Sequence, residues 1–377
     1  MRTSYPLRMR IALNLIILTL FLFGIVTAKN FLYPIVIGVL LGYLFYPLSY
    51  MLEKKGLPRI PASLVSVFLF LIIIGTALII IYKQAGNILD KLPAYKQSAL
   101  VNIDALESMI EDNFGLRDLR LVDFFRIRIK SFFEAGSTMM TSAFSNVAGL
   151  LFHFGILPVY IFLFLYYRTK LAYFILQLVP KENRKIAVKV LYDFSKVVSR
   201  YMGGITTVVI IMAFLESAGL WIVGMENPIV FGIISACFSF IPYFGTFIGG
   251  AIPFIFTLLT YSSPLIAFKI VILYIVVHFI ENNILAPNIV GNSLRLNPMV
   301  IIIGVIGGGM VWGVVGMFVI VPLLAMFNIV SENDNRLHAY SFFLGTSGTR
   351  KHAITGENIK FFWNRLTRAR KKNIKTQ

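Results

Sequence analysis

The feature that most constrains this chain is a succession of apolar runs, each close to the length that a helix needs to cross a bilayer. A transmembrane helix requires about 20 consecutive, predominantly apolar residues. Six runs come close to this length, and they cover 11–28, 31–52, 62–82, 144–167, 203–224 and 265–283. Hydrophobic residues make up 58% of the 377 residues and charged residues only 14%, whereas soluble domains contain about 25% charged residues. The sequence therefore predicts an all-α integral membrane protein with about six full transmembrane helices.

Two further apolar segments are too long for one crossing and too short for two comfortable ones. Segments 228–260 and 298–327 contain 33 and 30 residues, and each has a glycine-rich middle, YFGTFIGG at 243–250 and GVIGGGMVWGVVG at 304–316. Because the segments that connect the apolar runs alternate between the two sides of the membrane, each of these two segments has to end on the side where it began. We therefore expect two re-entrant or short-helix hairpins, giving eight or more membrane segments, because interrupted backbone is tolerated in a membrane only around a cavity or inside protein. The alternative is that the glycines only let helices pack closely.

The distribution of charge predicts the orientation of the chain. The formal net charge is +18, and basic residues exceed acidic ones in 168–200 and in the tail 331–377, whereas 83–140 holds eight basic and eight acidic residues. Because loops rich in Lys and Arg stay in the cytoplasm, we expect both termini inside, the balanced segment outside, and no nucleic-acid partner. Val26-Thr27-Ala28 is similar to a signal-peptide cleavage site, but the next apolar run follows so closely that an uncleaved helical hairpin is favoured.

These features divide the chain into five parts. They are 1–82 with transmembrane helices 1–3, 83–143 as an external amphipathic helical segment, 144–200 with transmembrane helix 4 and a basic cytoplasmic amphipathic helix, 201–330 as a motif-rich core with the two hairpins, and 331–377 as a basic cytoplasmic tail. The amphipathic helix of the third part is expected to lie against the membrane or against a neighbouring helix.

Ionisable residues inside the apolar runs are candidates for function, because a charge at the centre of a transmembrane helix costs about 2.5–3.5 kcal/mol on insertion scales. Glu216 is the clearest of them and lies just past the middle of 203–224. When protonated it is neutral, so it could carry a proton or bind a cation. The alternative is a buried carboxylic acid that is hydrogen-bonded to a neighbour for structural reasons.

A polar stripe runs along the last of the six apolar runs. Four of its residues fall within an arc of roughly 100° at 3.6 residues per turn: Tyr274, His278, Glu281 and Asn282. We expect this face to meet protein or water, with His278 and Glu281 as a candidate titratable pair. The stripe continues through Asn283 to the chain breakers Pro287 and Gly291. This continuation favours function over the alternative that the side chains simply reach lipid headgroups.

Enzymatic chemistry finds no support in the sequence. It contains no HExxH, no GxxxxGK[ST], no Cys and His spacing typical of a metal site, and no Asp in any apolar run. We therefore expect a protein that is not an enzyme and that has no cofactor.

Three ordered motifs carry a family resemblance. SFIPYFGTFIGGAIP at 239–253, ENNILAPNIVGNSLRLNP at 281–298 and GGGMVWGVVGMFVIVPLLA at 307–325 together resemble the AI-2E transporter family. The resemblance implies a multi-pass transporter of the prokaryotic inner membrane that forms a homo-oligomer. It also implies export of the quorum-sensing signal autoinducer-2, or sodium–proton or related cation antiport.

Our hypothesis is a gradient-driven permease or exporter that moves a small polar solute, with H⁺ or Na⁺ as a possible coupling ion and the lipid bilayer as its other partner. The predicted transport path consists of Glu216, Pro242, Gly245, Gly249, Gly250, His278, Glu281, Asn282, Asn283, Pro287, Gly291, Gly308, Gly313 and Gly316. The alternatives are a cation antiporter, an oligomeric passive channel, and a membrane scaffold that recruits partners through its external segment and basic tail.

Overall fold

A computed structural model describes residues 6–114, 120–145, 147–261, 263–291, 294–334 and 336–346. These residues are almost entirely helical, and their one extended pairing is an isolated bridge between Leu296 and Gly345. The helices are α1 Leu7–Thr27, α2 Lys29–Lys54, α3 Arg59–Phe114, α4 Arg120–Ser145, α5 Val147–Leu178, α6 Arg184–Val223, α7 Pro228–Phe238, α8 Gly245–Thr260, α9 Pro264–Ile280, a π-helix Glu281–Val290, α10 Pro298–Asn333 and α11 His338–Leu344. The all-α prediction is confirmed, and the basic cluster of the tail lies outside the described residues.

Six helical segments of the described chain are long and apolar enough to cross a membrane. They are Lys29–Lys54, Arg59–Ala105, Gly155–Leu178, Lys181–Val223, Pro264–Val290 and Pro298–Asn333. The first predicted run falls on α1, whose apolar part, Ile11–Thr27, is shorter than these six. The segments define a multi-pass membrane protein.

Helix α3 is much longer than the transmembrane run predicted at 62–82. It extends for 56 residues, about 84 Å at 1.5 Å per residue, so the predicted boundary at 82/83 is not a break in the helix. The Asn102 amide donates hydrogen bonds to the carbonyls of Leu259 (2.9 Å) and Tyr261 (3.0 Å), where α8 ends. Carbonyls at the end of a helix have no partner within it, so this contact attaches the predicted external segment to the core.

Helix α6 joins two elements that the sequence analysis separated. The predicted amphipathic helix within 168–200 and the predicted span at 203–224 form one uninterrupted helix of 40 residues, so the boundary at 200/201 lies inside it. Val198, Tyr201 and Met202 are buried in a cluster with residues of α2 and α10. The apolar stripe therefore packs against neighbouring helices, which was one of the two expected positions.

The first glycine-rich segment forms two short helices. Helices α7 and α8 contain 11 and 16 residues and are joined by residues 239–244. A Cβ atom added at Gly245 would lie 2.0 Å from the carbonyl oxygen of Phe238, so only glycine permits this turn to close. The chain thus folds back on itself within the predicted hairpin.

The second glycine-rich segment also reverses direction, although it is helical on both sides of the reversal. Trp312 and Gly313 leave the helical conformation, and Gly313 has φ 62° and ψ −143°, which favours glycine. A Cβ atom at Gly304 would lie 2.6 Å from Leu324, whereas twenty residues of a straight helix would separate them by about 30 Å. The two halves of α10 therefore lie side by side.

Candidate functional site

Glu216 is fully buried in the middle of the helical core. Its exposed fraction is 0%, and neither carboxylate oxygen has a hydrogen-bond partner among the described residues. Small residues surround it: a Cβ atom at Gly219 would lie 2.3 Å from Leu273 of α9, and one at Gly232 of α7 would lie 2.2 Å from Ser217. Because a buried, unpartnered carboxylate is strongly disfavoured when ionised, Glu216 requires a proton or a bound cation in this conformation.

Glu281 is the second acidic residue of the core, at the junction of α9 and the π-helix. Its side chain is 12% exposed, and its Oε2 atom accepts a hydrogen bond of 2.6 Å from the Thr246 hydroxyl of α8. The His278 Nδ1 atom lies 3.8 Å from the same oxygen. Glu281 therefore connects the start of α8 to α9, and it has a titratable neighbour as the sequence predicted.

The two carboxylates belong to one site. Glu216 lies on α6 and Glu281 directly follows α9, and these two helices pack together with α7, since Met212, Ala236 and Val277 share one buried cluster. Three helices and the junction with the π-helix thus meet around Glu216. Two carboxylates this close can share protons or a cation more easily than they can both carry an unpaired charge.

A buried hydrogen-bond chain extends the site into the first hairpin. The Tyr274 hydroxyl donates to Ser235 Oγ at 2.9 Å, and Ser235 Oγ donates to the carbonyl oxygen of Gly249 at 2.6 Å. A Cβ atom at Gly250 would lie 2.7 Å from the Tyr274 ring. Both glycines of α8 are therefore required for the close approach of α8 to α7 and α9.

The π-helix explains the polar run that follows Glu281. A π-helix has a wider turn than an α-helix and is frequent at functional sites. Its asparagine amides donate to the carbonyls four residues earlier: Asn282 to His278 (3.1 Å), Asn283 to Phe279 (2.9 Å) and Asn288 to Ile284 (2.7 Å). Pro287 lies inside this π-helix. At its end, Gly291 adopts φ 55° and ψ −158°.

The structure assembles only part of the predicted transport path. Glu216, Gly249, Gly250 and Glu281 converge, and Gly245 lies one residue before Thr246. The other predicted residues lie elsewhere. His278, Asn282, Asn283, Pro287 and Gly291 are exposed, Pro242 is half-buried in the α7–α8 turn, and Gly308, Gly313 and Gly316 belong to the second hairpin.

The predicted polar stripe therefore divides into two parts. Tyr274 and Glu281 are buried, whereas the side chain of His278 is 50% exposed and its ring lies 2.9 Å from the Asn282 amide nitrogen. At 3.6 residues per turn, Tyr274 and Glu281 lie at one edge of the arc and His278 and Asn282 toward the other, so only the first edge faces the packed core.

Sequence reasoning missed Ser235 and Thr246. Both are short hydroxyl side chains inside apolar segments, which are common in membrane helices and give no periodic signal. Thr246 lies within the motif at 239–253, between Gly245 and the glycine pair of α8. The position of Thr246 inside this motif was the sequence feature that could have identified it as a site residue.

The fold and the site together define a multi-pass helical membrane protein of the transporter class, with ionisable groups buried beside a broken helix. Residues 15–335 match the family described as AI-2E family transporter. The chain belongs to this family, as the three motifs predicted.

Several bacterial proteins resemble this chain over most of its length. YrrI of Bacillus subtilis is 29% identical over 312 residues, which cover 80% of this chain and 86% of YrrI. YueF of the same organism is 26% identical over 83% of this chain and 86% of its own. The AI-2 transport protein TqsA of Escherichia coli is 23% identical over 86% of this chain and 92% of its own.

Proposed function

We propose that the protein is a secondary transporter that moves a small polar solute and uses the Glu216–Glu281 pair to couple this movement to H⁺ or another monovalent cation. The observation that carries the proposal is the burial of two carboxylates among α6, α7, α8 and α9, one of them without any hydrogen-bond donor among the described residues. Charged residues inside membrane segments mark ion or substrate pathways more often than they serve packing. The motifs that supply nucleotide-driven transport are absent from the sequence.

The groups facing Glu216 support an alternation between a neutral and a charged state. From the junction with the π-helix comes Glu281, from α9 the Tyr274 hydroxyl, and from α7 the Cys237 thiol, none of which is a cation. No ion pair within the described part of the chain includes Glu216, so it can exchange a proton or cation when water or solute enters. Thr246 already stabilises a charge on Glu281 by its hydrogen bond.

We infer that the first hairpin enters the membrane without either of its halves crossing it fully. Helix α7, with 11 residues, is about 17 Å long and α8, with 16 residues, about 24 Å, whereas the hydrocarbon core is about 30 Å thick. Short helices that end inside the membrane leave backbone amides and carbonyls for a polar solute. The turn of the first hairpin also contacts the second, since the rings of Phe240 and Phe318 lie 5.3 Å apart.

A relative's name supplies the first solute to test, and the charge pattern supports the proposed setting. The name of TqsA makes autoinducer-2 the first solute to test, and the acidic pair makes cation antiport the second candidate function. We further propose a homo-oligomer in the cytoplasmic membrane of a prokaryote with both termini inside, as the charge pattern indicates. The polar side chains His278, Asn282 and Asn283 then line the cytoplasmic approach to Glu281.

The role of Glu216 is tested by Glu216→Gln in proteoliposomes. Flux of autoinducer-2 or Na⁺ is measured at several values of an imposed pH gradient, with Glu134→Gln on the exposed surface of α4 as the control. We expect the variant to lose the dependence of flux on the gradient while the control keeps it. Gradient-dependent flux equal to that of the wild type would refute the coupling role.

The role of Glu281 is tested by Glu281→Ala. We expect at least a tenfold loss of flux with unchanged folding and oligomeric state, measured by size-exclusion chromatography in detergent. Loss of assembly, instead of flux alone, would show that the carboxylate serves structure.

A further inference from the structure

A charged cavity lies apart from the Glu216–Glu281 site. It has a volume of about 250 Å³ and is enclosed by α6, by the segment between the π-helix and α10, and by the last turns of α10. The charge pattern assigns this end of α6 to the cytoplasmic side. Its polar lining consists of Asp193, Lys196, Arg200, Arg295, Asn328 and Glu332.

Three cationic side chains of this cavity come from two directions. Lys196 and Arg200 are four residues apart and so lie on one face of α6, and Arg295 approaches from the segment before α10. No ion pair of the described residues includes any of the three, although two carboxylates line the same cavity. All three residues are exposed, and like charges that border one cavity repel one another, so an anion placed between them would be stabilised.

Asn328 contributes an acceptor that has no donor. The residue is 2% exposed, its amide nitrogen donates to Glu332 Oε1 at 3.1 Å, and its Oδ1 atom has no partner among the described residues. The carboxylate of Glu332 can only accept, so the amide cannot be turned the other way. A buried acceptor without a donor destabilises the fold. This atom is shielded from solvent, so a ligand N–H or O–H group would satisfy it once the Asn328 side chain moved toward the cavity.

The backbone presents Arg295 in a conformation that side chains rarely adopt. Its φ is 49°, in the left-handed region. The next residues are held in place, because Leu296 forms a backbone bridge with Gly345 and the backbone N–H of Asn297 donates to the carbonyl of Leu344 at 2.7 Å. Such strain is maintained where surrounding structure over-determines it, frequently at ligand sites.

We propose that this cavity binds a phosphate ester that carries a hydrogen-bond donor next to the phosphate, as in an ethanolamine phosphate. The phosphate would lie between Lys196, Arg200 and Arg295, which match its negative charge. The ammonium or hydroxyl group would face Asn328 Oδ1 and the carboxylates of Asp193 and Glu332. Because α6 also carries Glu216, and the segment at Arg295 connects the π-helix to α10, an occupant would link the parts that surround the transport site.

The ligand can come from the membrane or from solution, and matched probes distinguish these sources. The soluble arm measures binding of O-phosphoethanolamine and of phosphocholine to the full chain in detergent by isothermal titration calorimetry. The lipid arm measures retention of phosphatidylethanolamine and of phosphatidylcholine by native mass spectrometry. The choline group has no N–H, so it cannot donate to Asn328.

We expect the ethanolamine form to bind at least tenfold more tightly than the choline form, and Arg295→Gln to abolish binding. Lys196→Gln provides a second test if Arg295→Gln does not fold. Lys185→Gln, on the first turn of α6 and outside the cavity, is the control and should bind as the wild type does. Binding only in the lipid arm identifies a headgroup, and binding in both arms identifies a soluble ester as well. Equal binding of both forms, or equal binding by Arg295→Gln and Lys185→Gln, would overturn the proposal.

Discussion

The hydrogen bond between Thr246 and Glu281 gives a prediction whose magnitude follows from the structure. Thr246→Val keeps the shape of the side chain but removes the donor that lies 2.6 Å from a carboxylate only 12% exposed. A hydrogen bond to a charged group contributes about 1.5–3 kcal/mol. In Thr246→Val, the free energy of local opening at the start of α8 should fall by this amount. Each 1.4 kcal/mol raises the equilibrium constant for opening about tenfold.

Amide hydrogen exchange in lipid nanodiscs measures this change. Exchange in a peptide covering the α7–α8 turn and the start of α8 should become about 10- to 150-fold faster in Thr246→Val, because local opening determines the exchange rate. Thr257→Val is the matched control on the same helix: Thr257 is fully buried and its hydroxyl has no partner among the described residues. Removal of such a hydroxyl should be nearly neutral. Equal exchange in both variants would refute the assigned role of Thr246.

Two further predictions concern the second hairpin and the external segment. Gly316→Ala should prevent the two halves of α10 from packing, because its Cβ atom would lie 2.0 Å from the Gly308 carbonyl oxygen. Gly307→Ala is the control and should fold normally, since no atom lies within 4 Å of its Cβ position. Yield and elution in size-exclusion chromatography distinguish the two variants. Glu226 accepts hydrogen bonds from Lys91 and Tyr95 of α3, and these lower its pKa below the ordinary value of 4.5. Its contribution to docking of α3 is therefore present above pH 4.5 and lost as the pH falls through the lowered pKa, so thermal stability should decline there in the wild type and not in Glu226→Gln.

The existence of the membrane helices could be predicted, but their ends could not. Apolar runs determine which residues can lie in lipid, and this signal ends where charges begin. Nothing in it indicates that α3 continues to Phe114 as a helix, because beyond residue 82 the helix is held by contacts such as that of Asn102 with α8. The uninterrupted α6 was missed for the same reason, since its basic first half and its apolar second half have different compositions.

The acidic site was partly predictable because charge in a membrane segment is conspicuous. Glu216 and Glu281 could each be identified from the sequence alone, and their proximity could not, since it depends on how α6 packs against α9. Ser235 and Thr246 were invisible because a hydroxyl in an apolar segment is ordinary. The stripe could be predicted from helical periodicity, but which of its edges is buried could not, since that depends on how α9 packs against α7 and α8.

The two explanations offered for the glycines, chain breaking and close packing, apply to different glycines. Gly313 and Gly291 have positive φ and end helices, so any other residue there would be strained. Gly219, Gly232, Gly249 and the glycines like them are helical, and in each case a Cβ atom would overlap a neighbouring segment. Close approach of neighbouring segments removes water from the Glu216 carboxylate, and no side chain in the described ranges donates a hydrogen bond to it. The packing glycines thus affect the electrostatics of the site, because the positive charge that neutralises Glu216 has to come from a proton, a cation or a solute.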